Sequence, residues 1–120
     1  MHPSVDDLKE VAKKLLDHDI VLKVEFLGTK VRAHLVQVYV LDVYHNQTLR
    51  KYSYTLIKEG KRIIGWDNAP HHVSVETYPD NFHDIDGKIR PSYLSGNPLK
   101  DLDNVLNVIE NIMSNLKGVE

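Results

Sequence analysis

The apolar residues of this chain change their period once near its start, and that change limits the folds open to it. Val5, Leu8, Val11, Ala12, Leu15 and Leu16 recur three or four positions apart, the stripe of a helix that buries one face. Ser4 followed by Asp7 resembles a capping box, and the pattern runs to about Asp17. From residue 20 the period is two, with Ile20, Leu22, Val24 and Phe26 on one side and Lys23 and Glu25 on the other. A chain that opens in this way lays a helix on a half-buried strand.

The extended period then persists. Leu27 to Lys30 supply a turn, and residues 31–44 form a long run rich in Val, Leu and Tyr that reads as a central strand. Residues 49–58 and 61–67 read as the next two strands, joined by a tight Glu59-Gly60 turn, and residues 73–78 as a fifth. Pro79, Gly87, Pro91, Gly96 and Pro98 make residues 79–98 mostly irregular, with Asp86-Gly87 as a turn signal that leaves a short extra hairpin open. Asn97 as cap and Pro98 at the first helical position open a last helix, lined by Leu99, Leu102, Val105, Leu106, Ile109, Ile112, Met113 and Leu116 and closed near Gly118. The order predicts one α+β domain over residues 1–120, a five-stranded antiparallel meander with the N-terminal and C-terminal helices packed on one face.

With 42% hydrophobic and 27% charged residues, a chain of 120 buries a core without staples, and it has no cysteine to form one. The absence of cysteine excludes a thiolate nucleophile or thiolate metal site and fits a reducing compartment, so the cytoplasm is the expected location. The first residues lack the basic and apolar blocks of a signal peptide, and no apolar run approaches the roughly 18 residues of a membrane span. A net charge of −2 points to no nucleic acid in bulk, so any such partner must be read locally. In the long run, Val31, Ala33, Leu35, Tyr39, Leu41 and Val43 alternate with Val36, Val38 and Val40, which makes both faces apolar. The second face then either curls into a half-barrel or meets another copy in a homodimer.

Two groups of residues carry chemistry. The first is the corner Trp66-Asp67-Asn68-Ala69-Pro70-His71-His72 with His83, three of the chain's seven histidines within thirteen positions. Asp67, Asn68 and Pro70 suit a turn and Trp66 suits the core. The imidazoles exchange protons near neutral pH, as hydrolysis or transesterification of RNA requires. Adjacent residues in extended chain point apart, so His71 and His72 do not readily share a metal ion. At most one of them joins His83, with Asp67, Glu76 or Asp84; no HExxH spacing occurs, and no metal or cofactor is assigned. The second group is Arg50-Lys51-Tyr52-Ser53-Tyr54 with Arg62, cations beside aromatic rings that suit a phosphate backbone and stacked bases.

Arg50-Lys51-Tyr52-Ser53-Tyr54, then Ile64-Gly65-Trp66-Asp67-Asn68-Ala69-Pro70-His71-His72, then Thr77-Tyr78-Pro79 and His83, resemble the TumE family of bacterial and archaeal toxin-antitoxin proteins over about residues 50–110. The resemblance implies a small toxin silenced by a helix-turn-helix antitoxin. It carries Asp67, Asn68, His71, His72 and His83 over as site positions, with Tyr52 and Tyr54 as framework. Asn81 stands where many relatives carry a further histidine, which counts against a three-histidine metal site. Two functions follow from the residues. One is a toxin-like endoribonuclease with His71 or His72 and His83 as base and acid and Asp67 orienting an imidazole. Arg50, Lys51, Tyr52, Tyr54, Arg62, Trp66 and Asn68 then contact the substrate. The other is a non-catalytic dimeric module that holds a partner protein or a metal ion at the histidine cluster.

Overall fold

The computed structural model describes residues 5–118, and the side chains of residues 8–116. Helix α1 (Val5–Leu16) precedes strands β1 (Val21–Leu27), β2 (Lys30–Leu35), β3 (Tyr39–Asn46), β4 (Lys51–Lys58), β5 (Lys61–Asp67), β6 (Asn81–His83) and β7 (Ile89–Pro91), and helix α2 (Pro98–Gly118) ends the chain. The proposed Ser4 cap, with the side chains of Val5 and Asp7, lies outside the described residues. The cap of α2 is present: the Asn97 side chain accepts the Leu99 N–H at 3.0 Å, and its carbonyl accepts those of Lys100 and Asp101. The strands form one antiparallel sheet in sequence order, a meander as expected, but with seven strands in place of five.

The two differences have separate causes. Residues 31–44 do not run straight through. A short turn at Val36–Val38, with Gln37 at φ 63° and Val38 at φ 65°, folds the run into a hairpin that pairs Ala33 with Leu41 and Val31 with Val43. No Gly, Pro or Asn announces this turn, and positive φ at a β-branched residue is rare, so the sequence pattern hides it. Residues 73–78 are not a strand either. They form successive turns, with Val75 N–H to His72 O, Tyr78 N–H to Val75 O and Asp80 N–H to Thr77 O, while Val73 stays exposed. The place beside β5 is taken by β6, through Gly65–His83, Trp66–Phe82 and Asp67–Asn81. The Asp86-Gly87 turn then returns the chain along β7.

Both helices cover the same face of the sheet. Val11 and Leu15 from α1 and Leu102, Val105, Leu106, Ile109 and Met113 from α2 pack on Val31, Ala33, Leu35, Leu41, Val43, Tyr54, Leu56 and Ile64. The opposite face is not the apolar surface expected. Of Val36, Val38 and Val40 only Val40 lies in a strand, and Val38, at the turn, is 82% exposed. The middle of that face is ionic: Asp42 accepts Arg32 at 2.7 and 2.9 Å and Lys30 at 3.0 Å. The half-barrel and the dimer were expected from an apolar second face, and the centre of that face is instead this ionic cluster. At its ends the sheet is uneven. β1 is an outer strand with Leu22, Phe26 and Leu27 exposed, whereas β7 has three residues and ends in Pro91.

Burial raises the Asp42 carboxyl, but the hydrogen bonds and charges of Arg32 and Lys30 outweigh it and hold the group below its usual range. A carboxyl depressed in the folded state adds stability above its unfolded value of about 4, and that stability is lost as pH falls through the folded value. Urea unfolding from pH 6 to pH 2 should therefore show a steep acid loss, and Asp42→Asn should flatten part of it. The variant should also lose about 1–3 kcal/mol at neutral pH. An acid slope unchanged in Asp42→Asn would contradict this account.

Candidate functional site

The site begins where β5 stops. Asp67 is the last residue of the strand, and its Oδ1 accepts the Ala69 N–H at 2.9 Å, which turns the chain off the sheet. Asn68 completes the corner: its Oδ1 accepts the Tyr52 N–H at 3.1 Å and its Nδ2 donates to the Arg50 carbonyl at 2.7 Å. That clamp holds Arg50 in the left-handed region at φ 52°. The turn reading of Asp67 and Asn68 is therefore realised in full, and Asn68 spends both polar atoms of its side chain on backbone.

Asp67 has a second task. Its Oδ2 lies 3.1 Å from His83 Nε2, brought alongside by the β5–β6 pairing, and the His72 ring sits edge-on to the His83 ring at 5.6 Å. The His83 side chain is 14% exposed. Burial and the nearby Arg62 lower its pKa, against the pull of Asp67, which favours the neutral ring. A carboxylate only accepts, so the proton of the neutral ring sits on Nε2 and Nδ1 carries the lone pair. Asn81 is the support beneath. It is 1% exposed, and its Nδ2 donates to Asp67 Oδ1 at 3.1 Å and to the Pro79 carbonyl at 3.2 Å. Its own Oδ1 is buried with no partner among the described residues, so only the donor half of the amide is used.

His71 and His72 point apart. His72 meets His83, whereas His71 lines a cleft of about 510 Å³ with Tyr44, Lys51, Ser53 and Asp67. Asp67 thus stands between the paired rings and the cleft. A family model described as toxin TumE matches residues 11–113. The chain belongs to the TumE toxin family. No curated protein matches it, and no solved structure does. The match extends beyond residues 50–110 to take in all seven strands, half of α1 and most of α2 of this TumE chain. Membership in a toxin family brings an antitoxin partner with it, and no helix among the described residues is long and apolar enough to cross a membrane.

Of the expected substrate contacts in this TumE chain, Arg50, Lys51 and Arg62 are exposed. Tyr54 and Trp66 are not available to a ligand, at 0% and 6% exposure. Tyr52 and Tyr54 share the sheet face that the helices cover. Tyr52 donates to Asp80 at 2.7 Å and Tyr54 to Asp101 at 2.7 Å, and burial followed by these carboxylates pushes both hydroxyls far above their usual range. Base stacking on these rings is thereby removed. Of the other acids named for a metal site, Glu76 accepts the Tyr93 hydroxyl at 3.0 Å and Asp84 accepts Arg90 at 2.5 Å. Among the described residues no three His, Asp or Glu side chains gather as metal ligands. Sequence reasoning missed Asn81 as a support, Asp80 as the acceptor of Tyr52 and Asp101 as the acceptor of Tyr54. Their partners lie 14, 28 and 47 positions away, and no local motif marks them.

Proposed function

We propose that this TumE-family chain is the toxin of a toxin-antitoxin pair and acts by cleaving RNA, with Asp67, His83 and His72 as its reacting groups. The observation that carries the reading is a part-buried histidine whose Nε2 faces the Asp67 carboxylate, with a second imidazole against it. In this reading His83 Nδ1 takes the proton of a ribose 2′-hydroxyl as that oxygen attacks the adjacent phosphorus. The bond to the 5′-oxygen breaks, and protonated His72 returns a proton to that leaving oxygen, which leaves a 2′,3′-cyclic phosphate. Asp67 supports the imidazolium that forms on His83. Lys51 beside the cleft and Arg62 near His83 offset the charge on the phosphate. The partner in this reading is a helix-turn-helix antitoxin encoded next to the toxin.

Inducing the chain alone in cells should arrest growth and fragment RNA, read by optical density and by gel. Co-expression with the antitoxin should reverse both. Normal growth with intact RNA from soluble protein would rule the reading out.

A further inference from the structure

Lys51, Tyr52 and Asn68 form one wall with a cleft on each side. The first is the cleft that reaches Asp67 and His71. The second, of about 400 Å³, is lined by Gln47, Arg50, Asp80 and Asn97 among others and lies at the start of β4, with neither His72 nor His83 in its lining. Volumes in the range of about 300–1,000 Å³ are those of small-ligand sites, so each cleft has room for one nucleotide. The shared wall is fixed: Asn68 ties the starts of β4 and of the 68–80 segment together, and Gly96 lies flat on the Tyr52 ring. Arg50 is held at the rim in a backbone conformation that its own side chain does not favour.

We propose that the second cleft binds a neighbouring nucleotide of a single-stranded RNA whose reacting phosphate lies by Asp67 and His83. The inference rests on the ribonuclease reading. Lys51, between the clefts, and Arg50, at the rim, carry the charge that a phosphodiester crossing the wall requires. The second cleft itself carries the groups that read a base edge. Gln47 offers an amide, Asn97 offers the donor half of an amide whose oxygen caps α2, and Asp80, with Oδ1 taken by the Tyr52 hydroxyl, offers a carboxylate acceptor. A carboxylate accepts from an exocyclic amino group and repels a carbonyl oxygen, so the subsite selects cytosine over uracil.

Binding is measured by fluorescence anisotropy with 2′-O-methyl oligonucleotides, which lack the attacking hydroxyl and so report affinity apart from cleavage. A cytidine dinucleotide should bind the native chain about tenfold more tightly than the mononucleotide, and about tenfold more tightly than the uridine dinucleotide. Gln47→Ala should lose most of the gain with length, and Asp80→Asn should lose the preference for cytosine, each with an unchanged circular dichroism spectrum. Equal affinity for the two lengths, or variants that keep both the gain and the preference, would overturn the subsite. Failure to cleave unmodified RNA would remove the ribonuclease reading and leave these binding results to decide the cleft alone.

Discussion

His83→Ala should abolish growth arrest and lower RNA cleavage by about 10²–10⁴-fold, the usual contribution of one acid-base group. The variant removes the ring that faces Asp67 at 3.1 Å and leaves the β5–β6 ladder, a backbone feature, in place. Asp67→Asn retains an oxygen for the Ala69 N–H but replaces an acceptor with a donor or a neutral oxygen opposite Nε2. It should cost activity more than stability. The pH profile supplies a second check. Base catalysis requires neutral His83, and its pKa is lowered by burial and by the charge of Arg62, so the acid limb of kcat/KM should lie below the ordinary histidine value of about 6.5. Removing the Arg62 charge favours the imidazolium, so Arg62→Gln should move that limb to higher pH. A His83→Ala variant that still cleaves RNA at the native rate would end the acid-base account.

Asp101→Ala should cost about 3–5 kcal/mol, a large share of the roughly 5–15 kcal/mol that holds a domain of this size together. The Asp101 carboxylate is 3% exposed and accepts the Tyr54 hydroxyl at 2.7 Å, the Ser95 N–H and hydroxyl at 2.9 and 2.8 Å, and the Gly96 N–H at 2.8 Å. Alanine leaves these donors buried without an acceptor. Tyr54→Phe removes one donor and keeps the rest, so about 1–2 kcal/mol is expected of it. Gly96→Ala tests the same joint by shape: a Cβ there would stand 3.0 Å from two Tyr52 ring carbons, at φ +86°. Urea unfolding followed by circular dichroism ranks the three. An Asp101→Ala variant within 1 kcal/mol of the native chain would contradict the joint.

The helices and the strands at Lys51–Lys58 and Lys61–Asp67 were legible in their own period and punctuation. Val21–Leu27 was legible as a strand but not in its faces: the register shifts between Val21 and Lys23, Val21 is buried, and Leu22 and Phe26 are exposed. The break at Gln37 and Val38 was not legible, since neither residue marks a turn and only the pairing of Ala33 with Leu41 pays for their backbone. Val73, Val75 and Thr77 mimic a strand, yet the sheet gives the place to Asn81–His83, whose three residues are too few to show a period. Of the proposed site, the sequence marked Asp67 and His83 by type and closeness and left His71 and His72 as alternatives. It left the role of Tyr54 ambiguous, because alternation sorts residues into two faces without saying which face the helices cover. Asn81 and Asp101 were invisible for a different reason. Asn81 reaches Asp67 and Asp101 reaches Tyr54 across 14 and 47 positions, and only the folded chain brings those pairs together.

The unequal ends of the sheet give it a direction of growth. Three residues closed by a proline that has no N–H to donate make β7 a poor template for another strand. β1 offers seven residues, and the apolar side chains of Leu22, Phe26 and Leu27 are already in water. Lys23 and Glu25 are the only charges along that strand to discourage a visitor. Any added strand, from a partner or from an unfolding neighbour during overproduction, therefore has one favoured berth, beside Val21–Leu27. A lysine in place of Leu22 or Phe26 is the direct means of closing it.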